Sequence, residues 1–269
     1  MIKLLFTLLL GFSITACFAA DQYSSLHTVI DGKQRSAEHK ARDQYRHPQQ
    51  TLEFFEVQND MTVVEIWPGA EGWYTEILAP YLSQHGRLYA AHFSEHAAVD
   101  FFKKSRLQFV KKMQESPEIY DKVILTDLQP PESLNIAPDN SADRVLTFRN
   151  VHNWMRNDQA PAVFKAMFKA LKPGGILGVV EHRASTAIPQ DPKAVSGYVR
   201  EDYLMELAKN AGFEFLAKSE MNANSRDTKD YSEGVWTLPP SLRLMDSDRQ
   251  KYLSIGESDR MTLKFRKPE

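Results

Sequence analysis

The sequence predicts an α/β fold, a mostly parallel sheet with helices on both faces. Three observations carry that prediction. Apolar runs of strand length recur along the chain and alternate with segments whose apolar residues fall at helical spacing, the pattern that places crossover helices against a parallel sheet. The first run, Met61 to Ile66, leads through Gly69 and Gly72 into a helical segment. Further on, Phe164, Met167, Phe168 and Leu171 share one helical face, and Lys172-Pro173-Gly174-Gly175 ends that pattern just before another apolar run.

At the N-terminus, Lys3 precedes the apolar stretch Leu4 to Phe12, and small residues follow at Ala16, Ala19 and Ala20. This is the order of a secretory signal peptide over residues 1–20, and it implies export. The run from Leu4 to Ala20 contains Gly11, Ser13 and Thr15 and is short for a membrane span. Cys17 is the only cysteine, so neither an intrachain disulfide nor a cysteine metal cluster can form. Ile14 to Cys17 also resembles a bacterial lipobox, which leaves two readings: Cys17 is removed with the leader, or it is lipidated and attaches the protein to a membrane. The expected location is the periplasm, or the outer membrane as a lipoprotein.

Residues 21–58 read as a tether and helical cover. Asp21 to Lys33 is polar and irregular; Ser36 to Arg46 is rich in helix formers; Pro48 opens a second short helix bearing Leu52, Phe54 and Phe55. From residue 59 to 269 the alternation is sustained, which suggests one large domain. Met61 to Ile66 is the first strand. The helix that follows carries Ile77, Leu78, Tyr81 and Leu82, and Pro80 should end or kink it.

Gly86 to Phe93 is the second strand. A helix carrying Val99, Phe102, Leu107, Val110 and Met113 leads to the third, Lys122 to Thr126. Ala142 to Phe148 is the fourth strand, and the Phe164 helix joins it to the fifth, Ile176 to Glu181. Leu204, Leu207, Ala208 and Ala211 align on a helix before Gly212, and Phe213 to Ala217 is the sixth strand. Met261, Leu263 and Phe265 alternate with polar residues in a seventh.

Composition narrows function. A chain of 269 residues with 42% hydrophobic residues can bury a sizeable core, and a net charge of -2 gives no electrostatic case for nucleic acid. A strand ending in an acid and followed by glycines before a helix lets backbone amides approach a polar ligand. Glu65, Gly69 and Gly72 supply those parts.

Taken together, five segments resemble the class I S-adenosylmethionine-dependent methyltransferases, in particular a group of bacterial methyltransferases predicted to be exported. They are RDQYRHP (42–48), VVEIWPGAEGWYTEILAPYL (63–82), ADRVLTFRNVHNW (142–154), ALKPGGILGVVEHR (170–183) and the late WTLPPSLR. The resemblance implies the Rossmann-like methyltransferase fold, with seven strands and an antiparallel last strand, and S-adenosyl-L-methionine as cofactor. It places Glu65 toward the amino group of the donor's methionine part, with Gly69 and Gly72 allowing close approach. Two departures stand out. Trp67 replaces the first glycine of a turn that is also one residue longer, and His92 and Phe93 stand where an acid usually grips the ribose.

Glu95 is near enough to supply that acid, or it is simply an acid at a helix start. Asp127 matches a position that contacts the adenine amine, or is a solvated loop aspartate. For chemistry, Asn150 and His152 after the fourth strand and His182 after the fifth reach the carboxyl edge of the sheet. His152 is the first candidate for a base or acceptor-orienting group and His182 the second, with hydrogen-bonded structural histidines as the alternative. RDQYRHP could close over the cofactor as a lid.

No metal site is expected, since the sequence has no HExxH motif and His92 falls in a strand while His96 does not. The expected function is methyl transfer to a small-molecule or envelope acceptor. Two alternatives remain: a non-catalytic exported protein that keeps the fold as a binding or scaffold module, and a nicotinamide-dependent oxidoreductase using the same turn.

Overall fold

The computed structural model describes residues 25–269. The leader and Cys17 lie outside them. Seven strands form one sheet: β1 (Thr62–Ile66), β2 (Arg87–His92), β3 (Ile124–Asp127), β4 (Ala142–Phe148), β5 (Leu171–His182), β6 (Glu214–Ser219) and β7 (Arg260–Arg266). Their order is β3-β2-β1-β4-β5-β7-β6. Neighbours from β3 to β5 are parallel, and β7 runs antiparallel to both β5 and β6. The chain winds outward from β1 in one direction and, from β4, in the other. A crevice therefore opens where the carboxyl ends of β1 and β4 lie side by side.

Side chains alternate across the sheet and build a core on each face. On one face Val64, Ile66, Val145 and Leu177 meet α8 (Val151–Arg156), α9 (Ala160–Ala170) and α10 (Glu201–Asn210). On the other, Val63, Leu146, Phe148 and Val180 meet α5 (Thr75–Leu82) and the N-terminal helices. Among the described residues, no helix is long and apolar enough to cross a membrane.

The N-terminal segment does more than cover. It folds into α1 (Leu26–Ile30), α2 (Ala37–Lys40), α3 (Asp43–Arg46) and α4 (Pro48–Phe54). Ser25 caps α1 by accepting the Thr28 amide at 3.1 Å, and the spacing of Leu26, Val29 and Ile30 turns all three inward. Phe55 is fully buried, and its ring lies over Gly178 of β5, where an added Cβ would sit 2.6 Å from it. Glycine in β5 is the socket for that ring.

Three expected details differ. Pro80 neither ends nor breaks α5, which runs on to Leu82; the Glu76 carbonyl it leaves without a helical partner accepts Gln34 Nε2 at 3.1 Å. Lys172 to Gly175 does not separate helix from strand but lies within β5, where Leu171 already pairs with Ala142. Helix α6 (Asp100–Glu115) buries Ser105 and Phe109, while Leu107, expected inside, is 68% exposed. The sequence reading also passed over α7 (Pro117–Tyr120) and α11 (Arg249–Ile255).

Candidate active site

A cavity of about 720 Å³ lies over the crevice. All five segments that carry the family resemblance reach it: Arg42 and Arg46, Trp67 and Gly69, Asn150 and His152, His182, and Trp236 with Pro239 each contribute to its wall.

The turn after β1 forms the floor. Trp67 has φ 46, a left-handed backbone that costs a non-glycine residue on the order of 1–3 kcal/mol and clusters at functional sites. Its ring offsets that strain. Indole Nε1 donates to the Leu128 carbonyl at 2.8 Å, and the ring packs against Phe93 and Trp154 at centroid distances of 4.6 and 5.6 Å. Gly69, at φ 74, has nothing within 4 Å of an added Cβ and faces open space. Gly72 does not line the cavity; its missing Cβ makes room for the Phe109 ring, 2.8 Å from where a Cβ would sit.

Glu65 is 2% exposed and sits behind the floor, not in the wall, accepting the Thr75 hydroxyl at 2.6 Å. Burial pushes its carboxyl up to about 7, against the opposing hydrogen bond from Thr75. It ties β1 to the start of α5 and thereby shapes the turn.

His92 does the same from the other side. The Phe93 amide donates to its Nδ1 at 2.7 Å, which leaves Nε2 as the donor to the Gly69 carbonyl at 3.2 Å. Burial brings this imidazole down to about 4, so it is neutral and keeps that tautomer. Glu95 is exposed, faces His96 at 3.5 Å and does not reach the cavity. Asp127 is also outside the wall, engaged by Arg106 at 2.7 Å.

Across the crevice, Asn150 donates to the Ile66 carbonyl at 2.9 Å and so clasps the ends of β1 and β4 together. The next turn brings His152 to Glu181, a residue that sequence reasoning placed in the segment but gave no role. Glu181 is fully buried, and its two oxygens accept four hydrogen bonds: from the amides of Val151 at 2.6 Å, His152 at 3.4 Å and His182 at 2.8 Å, and from His152 Nδ1 at 3.1 Å. The adjacent pair Glu181-His182 at a strand end was the available signal.

His182 bonds Ser258 Oγ through Nδ1 at 2.6 Å, and its ring lies 5.4 Å from that of His152. Burial, and then the neighbouring His152 and arginines, hold His182 well below the usual histidine range, which keeps it neutral. Ligand atoms of His152, Glu181 and His182 fall within 4.8 Å of one another, close enough for a metal. The four hydrogen bonds on Glu181 and the Ser258 contact instead use these groups to fix the two rings.

Above the histidines stands a group of cations. Arg46 and Arg260, 4% and 2% exposed, both bond Glu257, as does Arg42 at 2.6 Å. RDQYRHP is therefore pinned by a buried carboxylate and does not hang free as a lid. Burial alone would raise the Glu257 carboxyl, but Arg260, Arg46 and Arg42 outweigh it and hold the group well below the usual carboxylate range.

Comparisons with known proteins agree with this architecture. Residues 69–179 match the family model described as a methyltransferase domain. Among solved structures, the chain is similar to a SAM-dependent methyltransferase from Aquifex aeolicus, with a TM-score of 0.55 and 14% identity over 84% of this chain and 93% of that one. A putative sarcosine dimethylglycine methyltransferase from Galdieria sulphuraria gives 0.55 and 14% over 89% and 90%. The [4+2]-cyclase SpnF gives 0.55 and 17% over 88% and 85%. No curated protein matches the chain. The protein has the Rossmann-like α/β fold of class I methyltransferases, with the last strand antiparallel, as expected from the sequence.

Proposed function

We propose that this protein is an S-adenosylmethionine-dependent methyltransferase acting on a small-molecule or envelope acceptor, with His152 as its base. The observation that carries the proposal is the pair His152–Glu181 at the wall of the cavity that holds the glycine turn.

The lining suits the donor in its volume, in the open backbone at Gly69, and in the aromatic faces of Trp67, Phe93 and Phe102, which can meet a purine or a sulfonium. Gly69 and Ala70 would lie along its methionine part, and Ser105 and Gln108 are the polar groups beside the aromatic wall where a ribose acid is missing. When bound, the donor supplies an activated methyl group for in-line displacement. The protein's share is then positioning and proton removal. With Nδ1 of His152 donating to Glu181, Nε2 is the ring nitrogen placed to take a proton from an acceptor hydroxyl or amine. Asn150 fixes the backbone from which this ring projects, and His182, neutral, flanks it without competing for charge.

Calorimetry with S-adenosylhomocysteine is the direct test: binding is expected, and its absence sinks the proposal. Gly69→Val should abolish binding, because a branched side chain at φ 74 is strained and fills the open space. His152→Ala should cut transfer from a methyl-labelled donor into small-molecule and envelope extracts by roughly 10²–10⁴-fold while leaving product affinity intact. A non-catalytic scaffold is the second reading, favoured by the engagement of His92 with Gly69 and of Asp127 with Arg106; it predicts no product binding. Export belongs to the same proposal. Fractionation with and without Cys17→Ala tests lipidation, which an unchanged membrane-bound fraction would refute.

A further inference from the structure

Five cationic side chains line the cavity, Arg42, Arg46, Lys104, Arg149 and Arg260, and among the described residues no carboxylate does. Glu257, behind the wall, is the anion that Arg42, Arg46 and Arg260 share. Even so, these arginines are not satisfied. Arg42 Nη2 and Arg260 Nε are buried without a hydrogen-bond partner.

Arg149 stands apart from the other arginines. Its backbone is left-handed at φ 63, and only its amide is engaged, donating to the Val180 carbonyl at 2.7 Å. Its guanidinium makes no hydrogen bond or ion pair among the described residues. Burial, and then Arg260, bring this group down to about 10, so it is charged at neutral pH. The half-buried Arg149 side chain lines the cavity with its donors free, and a planar oxyanion fits its fork of N–H groups.

We infer that the cavity binds an oxyanion through Arg149, with Arg42 and Arg260 as supporting donors, and that the methyl acceptor is therefore a carboxylate or phosphate compound. Calling the anion the acceptor rests on the methyltransferase reading. The donor cannot balance these charges, because its sulfonium and ammonium outnumber its one carboxylate and leave it a net cation. A neutral or cationic acceptor would leave the excess positive charge uncompensated in a confined space. An anion cancels it, and is drawn in by the same field.

The test titrates inorganic phosphate into the full chain by calorimetry, alone and saturated with S-adenosylhomocysteine, at fixed ionic strength with chloride as control. Phosphate should bind in both states. Arg149→Gln should weaken it by about 10- to 100-fold, the loss of a charge-assisted hydrogen-bond pair, and Arg149→Lys by less. Lys104→Gln, at an exposed position, should weaken it modestly without risk to the fold. Product affinity should change less than about threefold in the two Arg149 variants, well below the change in phosphate affinity.

Phosphate that displaces S-adenosylhomocysteine, with both affinities falling together in Arg149→Gln, would overturn the inference by assigning the cations to the donor's carboxylate. So would phosphate binding that no variant alters, or no binding at all. Arg149-dependent phosphate binding without any product binding would instead remove the methyltransferase reading and leave the oxyanion site standing.

Discussion

Glu65 and His92 show how single residues can shape a cavity without lining it. Both are buried, both hold the turn at Gly69, and each is shifted toward its neutral form. For Glu65 the sign is fixed by linkage: a carboxyl raised from 4.5 to about 7 stabilises the fold fully below 4.5, and that contribution is lost as pH rises through 7. Glu65→Gln, which keeps an acceptor for Thr75, should therefore match the wild type near pH 5 and exceed it at pH 8, by up to roughly 3 kcal/mol in urea unfolding. Equal stability at both pH values would show that the carboxyl is not desolvated. At His182, nitrogen-15 spectra should report a neutral ring from pH 5.5 to pH 8, since its folded-state value lies well below 6.5; protonation in that window would place the ring in contact with solvent.

The helices and strands were legible to different degrees. The strands of the central sheet were readable because a buried parallel strand is a nearly continuous apolar run, and Ala142 to Phe148 matches β4 at both ends. Helix α6 misled because its apolar residues are spread around the cylinder: Phe101 and Leu107 face solvent while Ser105 is buried. Helix α1 was missed because a five-residue helix is set by its cap and by packing, not by propensity. Its neighbour α4 makes the strongest prediction at this scale. Phe55→Ala should cost about 3–5 kcal/mol, more than a covering helix would lose, because it empties the socket over Gly178. A loss near zero would return the N-terminal helices to the role of a mere cover.

At the scale of the whole molecule, Glu257 joins the two ends of the described chain. It takes Arg42 and Arg46 from the N-terminal helices and Arg260 from β7, and so closes the wall of the cavity. Glu257→Gln should destabilise the protein by about 3–5 kcal/mol at neutral pH, since it leaves the buried guanidiniums of Arg46 and Arg260, and the half-buried one of Arg42, without their counter-ion. The stability that Glu257 contributes in the wild type is present above the ordinary carboxylate range and lost only as pH falls below it, because its folded-state value is depressed. Thermal unfolding of wild type and variant between about pH 2 and pH 8 checks both statements; an unchanged midpoint at neutral pH would mean that the cluster adds nothing net.

The sequence by itself determined the succession of strands along the chain, the glycine turn and the polar segments at the carboxyl edge, because those depend on periodicity and turn chemistry within short windows. It could not decide which polar residues meet. Tertiary packing withdrew Glu65, Gly72, Glu95 and Asp127 from the cavity wall and brought Arg42, Arg149 and Arg260 together, since a contact between residues up to 215 positions apart is set by how the sheet and its helices close on one another. The charge of the cavity is the sum of those distant choices, and no local pattern encodes it.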